Sequence, residues 1–180
     1  MAAYAAMLRG INVGGRNKIK MSELQALFVG LGHADVVTYI QSGNVVFENP
    51  AKNAAALTSA IEKRIARDFG IDVVIVLRTR AELGKVIAAN PFGAADLSKV
   101  HVTFLAEKPA AALVRALDDH TAPPDDFRVH GREVYLHCPS GYGTTKLNNT
   151  FWERKLKIAA TTRNWNTVNK LFDLAGGTNR

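Results

Sequence analysis

Apolar positions along the chain switch between a strand-like and a helical period. Residues 4–9 form a short apolar run that predicts a buried strand. A polar, glycine-containing stretch over residues 10–20 follows, and then Leu24, Leu27, Phe28 and Leu31 recur at helical spacing. Ser22, with Gln25 three residues on, predicts a capping box at the start of that helix, and Gly30 and Gly32 predict its end. Residues 36–41 and 44–48 are β-rich and flank Ser42-Gly43, which predicts a hairpin. Asn49-Pro50 ends the hairpin, and residues 51–69 predict an alanine-rich helix with Leu57, Ile61 and Ile65 on one face. Residues 73–77 are a continuous apolar strand. The order β-α-β-β-α-β is the ferredoxin-like, or split βαβ, pattern.

The second half opens with a helix over 80–89, capped by the pair Thr79 and Glu82, and a loop at Asn90-Pro91-Phe92-Gly93. A strand over 101–106, a helix over 109–117 and a hairpin of 127–130 with 133–137 about Gly131-Arg132 come next. Two helices, near 147–158 and 164–175, close the chain. This half reads β-α-β-β-α with an extra helix, as if the last strand were missing. The reading is an α+β fold of two ferredoxin-like halves packed as one unit. Residues 1–90 form one half with a connecting helix, and residues 91–180 form the related half with its extra C-terminal helix. No residue-level repeat is evident between them, and only the tail 176–180 reads as disordered.

Charge alters this picture more than composition does. The 180 residues carry a net charge of +7. Residues 1–21 hold Arg9, Arg16, Lys18 and Lys20 and no acid, while residues 138–180 hold seven basic side chains against Glu153 and Asp173. The ends therefore carry +4 and +5, and the stretch between them, with 12 basic and 14 acidic residues, carries −2. Ends that meet in space would focus an anionic partner. The single cysteine, Cys138, cannot close an intramolecular disulfide, which fits a reducing, cytoplasmic compartment. The apolar start lacks a basic leader and reads as a strand, and no run approaches the roughly 20 residues of a membrane helix. No membrane partner is expected, and the oligomeric state stays open.

Four segments carry candidate chemistry. In residues 8–18, Gly14 and Gly15 allow backbone N–H groups to approach an anion, with Arg9, Asn12 and Lys18 beside them, although no nucleotide-loop motif is present. In residues 39–44, Gln41 and Ser42 sit at the hairpin turn, and Ser42 lacks the surroundings of a nucleophile. In residues 139–146, Tyr142 and Lys146 lie among glycines and hydroxyls at a helix start. In residues 161–168, Arg163, Asn164 and Trp165 suit either an anion and a stacked ring or a helix cap and a core side chain. No close pair of cysteines or histidines proposes a zinc site, and His130 and His137, flanking one hairpin, read as ordinary surface or core histidines. Asp118-Asp119 and Asp125-Asp126 read as solvated charges. No cofactor is called for.

Residues 8–15 (LRGINVGG), 38–45 (TYIQSGNV), 90–92 (NPF), 141–147 (GYGTTKL) and 162–168 (TRNWNTV) together resemble the bacterial family catalogued as domain of unknown function 1697. The resemblance runs over nearly the whole chain. It implies a two-part α+β protein of ferredoxin-like topology and supplies no catalytic residues. Many members carry Ser where this chain has Thr145, which keeps a hydroxyl, and often Tyr-Pro where it has Cys138-Pro139. Three functions follow in order. The first is a binding module for a phosphorylated or nucleic-acid ligand at a basic site formed by the N- and C-terminal motifs. The second is an enzyme acting on a small anionic substrate. The third is a structural or homodimeric interaction protein.

Overall fold

The computed structural model describes residues 1–177; residues 178–180, part of the tail read as disordered, lie outside them. Six elements follow the expected order in the first half: β1 (Ala2–Leu8), α1 (Met21–Gly30), β2 (Ala34–Tyr39), β3 (Asn44–Asn49), α2 (Ala54–Phe69) and β4 (Ile75–Thr79). Helix α3 (Arg80–Ala88) leads on to β5 (Val100–Leu105), α4 (Ala111–Arg115), β6 (Asp126–His130), β7 (Glu133–His137), α5 (Asn149–Leu156), β8 (Ala160–Asn164) and α6 (Trp165–Ala175). The chain divides into two compact units, Met1–Lys85 with the residues from Lys170 onward, and Val86–Asn169. Each contains one four-stranded sheet, ordered β2-β3-β1-β4 in the first and β6-β7-β5-β8 in the second. Every pairing is antiparallel. Both halves are thus βαββαβ, and the fold is α+β with two ferredoxin-like halves.

The strand expected to be missing from the second half is β8. Its sequence, Ala-Thr-Thr-Arg-Asn, is too polar to read as an apolar run, yet it pairs with β5 from Leu105↔Ala160 to His101↔Asn164. Thr161 and Thr162 are β-branched, which suits a pleated surface. The segment expected to enter a helix is therefore a strand, and the helix begins after Asn164. A residue-level correspondence between the halves also emerges. Arg78 and Arg163 each occupy the next-to-last position of an edge strand, paired with Ala5 and Val102. Each donates from Nη1 to the carbonyl of the preceding residue at 2.9 Å. The residue after each caps a helix: the Thr79 hydroxyl accepts from Glu82 N–H at 3.2 Å and the Asn164 side chain from Thr167 N–H at 2.8 Å.

Other caps differ in detail from expectation. Thr79 and Glu82 form the capping pair, with Glu82 accepting from Thr79 N–H at 2.8 Å. The Ser22–Gln25 box does not form. Helix α1 starts one residue early behind Lys20, which offers no side-chain cap, and Gln25 donates instead to the Val36 carbonyl at 2.8 Å. Asn53 caps α2 through Ala56 N–H at 3.0 Å. His130 and His137 sit at opposite ends of the β6–β7 ladder, His130 opposite Glu133 and His137 opposite Asp126, so they do not meet.

In the first unit, Leu24, Leu27 and Phe28 of α1 and Leu57, Ile61 and Ile65 of α2 pack on Tyr4, Ala6, Leu8, Val45, Phe47 and Leu77 of the sheet. The β2–β3 turn is locked into this core. Gly43 has a φ of +84°, and a Cβ there would lie 2.6 Å from Ile11 Cδ1 and 3.0 Å from Leu8 Cβ. We expect Gly43→Ala to destabilise the protein by about 2–4 kcal/mol through left-handed strain and overpacking. Gly70→Ala, at a left-handed helix cap with open space around it, should cost only about 1 kcal/mol. Urea unfolding midpoints compare the two, and equal losses would contradict the packing argument.

His33 adds a proton linkage to the same core. Its ring lies 4.4 Å from Phe47 and 5.7 Å from Phe28, and Asn49 Nδ2 meets its Nδ1 at 2.9 Å. With the amide as donor, Nδ1 accepts and the ring is held neutral. Burial pushes its pKa below the ordinary 6.5. The unfolded chain therefore takes up this proton first. The His33 contribution is complete above about pH 6.5 and declines as pH falls from there toward the lowered native value. Unfolding midpoints measured from pH 7 down to pH 5 should fall less steeply for His33→Phe than for the unmodified protein.

Candidate functional site

The N-terminal loop, residues 9–20, is a run of tight turns. Gly10, Asn12, Gly14, Gly15 and Asn17 all have left-handed φ, between 50° and 75°. Asn12 fastens them. Its Oδ1 accepts from Ile19 N–H, and its Nδ2 donates to the carbonyls of Ile19 and Gln41, each at 2.9 Å. Its own N–H donates to Asn17 O at 3.1 Å. One asparagine thus ties the loop both to itself and to the β2–β3 turn, and buried Ile11 anchors it from beneath. Gly14, Gly15, Arg16 and Lys18 are left exposed.

Beside this loop lies a cleft of about 780 Å³ whose lining includes Asn12, Gly15, Lys18, Lys20, Ser22 and Gln41. The structure therefore brings Asn12, Gly15, Lys18 and Gln41 together. Gly14 is at the exposed tip. Arg9 is half-buried at the end of β1, its N–H on the Val74 carbonyl at 2.9 Å, and is not part of the lining. Ser42 is half-buried and accepts from Asn44 Nδ2 at 3.0 Å, and Asn44 also reaches the Tyr39 carbonyl at 3.0 Å. Asn12 and Ser42 are committed to holding loops, and the cationic character of this cleft rests on Lys18 and Lys20.

The second unit contains the other predicted residues. Residues 142–144 form a single tight turn after Gly141, whose φ is +95°. The Thr145 hydroxyl, buried, donates to Asp125 Oδ2 at 2.6 Å and accepts from Leu147 N–H at 3.1 Å. Asn148 then caps α5 through Phe151 N–H at 3.0 Å, and the Trp152 indole donates to the Leu147 carbonyl at 2.9 Å. These bonds hold the motif rigidly and leave Lys146 exposed between buried Thr145 and buried Leu147.

Lys146 lines a cleft of about 940 Å³ together with Arg154, His120, Ser140, Thr144 and Thr150. Neither Lys146 nor Arg154 forms an ion pair among the described residues; Arg154 rests over the Phe151 ring at 5.9 Å. His120 packs its ring 4.9 Å from Phe151. Asp125, expected to be a solvated turn charge, instead lines this cleft and is held by Thr145. Sequence reasoning missed Arg154 and His120. Arg154 lies eight positions after Lys146, on the helix that the motif opens into, a signal within reach; His120 arrives from 26 positions upstream, which only the fold reveals.

Tyr142, Arg163, Asn164 and Trp165 do not line the cleft of Lys146. Tyr142 stacks on His101 with centroids 4.8 Å apart, and bonds the Thr162 side chain. Burial raises its pKa. Thr162 in turn donates to Asn149 Oδ1 and meets Thr103 Oγ1, both at 2.7 Å. Arg163 is buried within β8, where Nη1 donates to Thr161 Oγ1 at 2.7 Å. Burial lowers its pKa to about 10, so it stays charged at neutral pH. Asn164 is a helix cap, and Trp165 is buried. Cys138 is also buried, and desolvation pushes its thiol to about 11, which makes it inert.

No helix among the described residues is long and apolar enough to cross a membrane, and they contain no group of three or more His, Cys, Asp or Glu able to hold a metal ion.

Among known proteins, the chain is similar in structure to the conserved bacterial protein SP0830 from Streptococcus pneumoniae, with a TM-score of 0.78 and 23% identity, covering 97% of this chain and 98% of that one. That likeness supports the fold alone. No curated protein shows significant sequence similarity. The model of the family described as protein of unknown function DUF1697 matches residues 1–135, which include the motifs at 8–15, 38–45 and 90–92, and the chain belongs to that family.

Proposed function

We propose that this protein is a binding module for a phosphorylated or nucleic-acid ligand, with the anion held in the cleft of Lys146. One observation carries the reading. Lys146 and Arg154 face the same cleft without a carboxylate partner, among the hydroxyls of Ser140, Thr144 and Thr150. A lysine ammonium offers a compact charge and an arginine offers two parallel donors, a combination suited to phosphate oxygens. The hydroxyls add neutral donors. Asp125 contributes one opposing charge at the cleft wall, already engaged by Thr145, and so favours a ligand whose anionic group lies toward Lys146 and Arg154. The N-terminal cleft, with Lys18 and Lys20 against Glu23, supplies a second, more weakly cationic surface of its own.

His120 in the cleft favours a second reading, an enzyme acting on a small anionic substrate, because it supplies the candidate base that none of the sequence motifs contains. Turnover of a phosphate ester that disappears in His120→Ala, while binding persists, would support that reading.

Titration with inorganic phosphate and with a short single-stranded oligonucleotide tests the proposal. Lys146→Ala and Arg154→Ala should each weaken binding about tenfold or more, as expected for loss of a charge-assisted hydrogen bond. Binding equal to that of the unmodified protein in both variants overturns the assignment. A nucleic acid should also lose affinity steeply with salt, and more steeply than inorganic phosphate does.

A further inference from the structure

Next to the cleft of Lys146 is a smaller hollow of about 400 Å³, between the end of α4 and strand β6. Its lining sets the apolar side chains of Leu117, Phe127 and Val129 beside Asp118, Asp126 and Arg128. His120 and Thr121 line both cavities, so the two adjoin within the second unit. The first cavity has cations and hydroxyls, while the second combines aromatic and aliphatic side chains with the exposed Asp118 carboxylate and the Arg128–Asp126 pair.

We infer that the joined cavities take a 5′-nucleoside monophosphate, with its phosphate at Lys146 and Arg154 and its base in the hollow. This deepens, and rests on, the phosphorylated-ligand reading above. Each feature removes an alternative. An apolar lining is wasted on inorganic phosphate or a sugar phosphate, which have little apolar surface to bury. An alkyl tail would use the apolar side chains but none of the polar groups beside them. A nucleoside has both a planar face and N–H or O–H donors, and the imidazole of His120, already packed between aromatic rings at 4.9 Å and 6.1 Å, offers a stacking edge where the two cavities meet. A continuous nucleic-acid strand would carry further phosphates past Asp118, Asp119 and Asp125, where like charges repel. Arg128 and Asp126, paired at 2.6 Å, offset each other.

The full chain is titrated with inorganic phosphate, the four common 5′-ribonucleoside monophosphates, octyl phosphate and a short oligonucleotide. At least one mononucleotide should bind about tenfold tighter than inorganic phosphate and be displaced by it. Asp118→Asn, an exposed change, and Val129→Glu, which places a charge among the apolar side chains, should each reduce that advantage several-fold while phosphate binding stays as it was. Circular dichroism confirms that Val129→Glu is folded; if it is not, Asp118→Asn decides. Phosphate binding with no mononucleotide advantage overturns this inference and leaves the phosphorylated-ligand reading intact. Absence of binding to phosphate and to every mononucleotide overturns both. Octyl phosphate or the oligonucleotide binding tighter than any mononucleotide, or an advantage untouched by Asp118→Asn, also overturns the inference.

Discussion

The inner strands of each sheet are buried on both faces, and that double burial governs the rest of the structure. In β1, Tyr4, Ala6 and Leu8 face α1 and α2, while Ala5 and Met7 face the other way, and all are buried. The second sheet repeats this, with Val102, Phe104 and Tyr135 buried on the face turned from α5. Strands buried on both faces lose the alternation of polar and apolar residues, so β1 reads as an unbroken apolar run. Arg78 lies on the face turned from α1 and α2, and Arg163 on the face turned from α5. A guanidinium tolerates such burial better than an ammonium, because it is more weakly hydrated and spreads its charge over five donors. The carbonyl of the preceding residue takes one of them in each case.

Because the sheets are committed to packing, recognition is left to the loops at their ends. The most distinctive motif residues hold those loops in place. Asn12 clips the N-terminal loop to the Gln41 carbonyl, Thr145 links its segment to Asp125, and Asn164 caps α6. Their side-chain donors and acceptors are largely spent on backbone and neighbours, which fixes where the remaining cations point. Lys18 and Lys146 are displayed by this scaffolding and take no part in it.

The sequence disclosed elements whose signal is local. The β2–β3 and β6–β7 hairpins were legible because Gly43 and Gly131 mark turns of positive φ between β-rich runs, and α3 because Thr79 and Glu82 reciprocate across one turn. Strand β8 was not legible. Its polar sequence becomes a strand only through pairing with β5, as in the Thr103–Thr162 contact across 59 positions. The α1 cap failed for a related reason: Gln25 found a better acceptor in the Val36 carbonyl of the adjoining strand.

The amino-acid sequence by itself determined the α+β class, the ferredoxin-like order of the first half, the family and the concentration of positive charge at the two ends. These depend on short-range periodicity, turn chemistry and composition. Tertiary structure decided which polar residues are structural and which face a cleft. It buried Arg163 and Trp165, spent Asn12 and Asn164 on backbone groups, and set His120 and Arg154 beside Lys146. Each of those outcomes turns on desolvation and on partners far away in the chain, and neither is encoded in the spacing of neighbours.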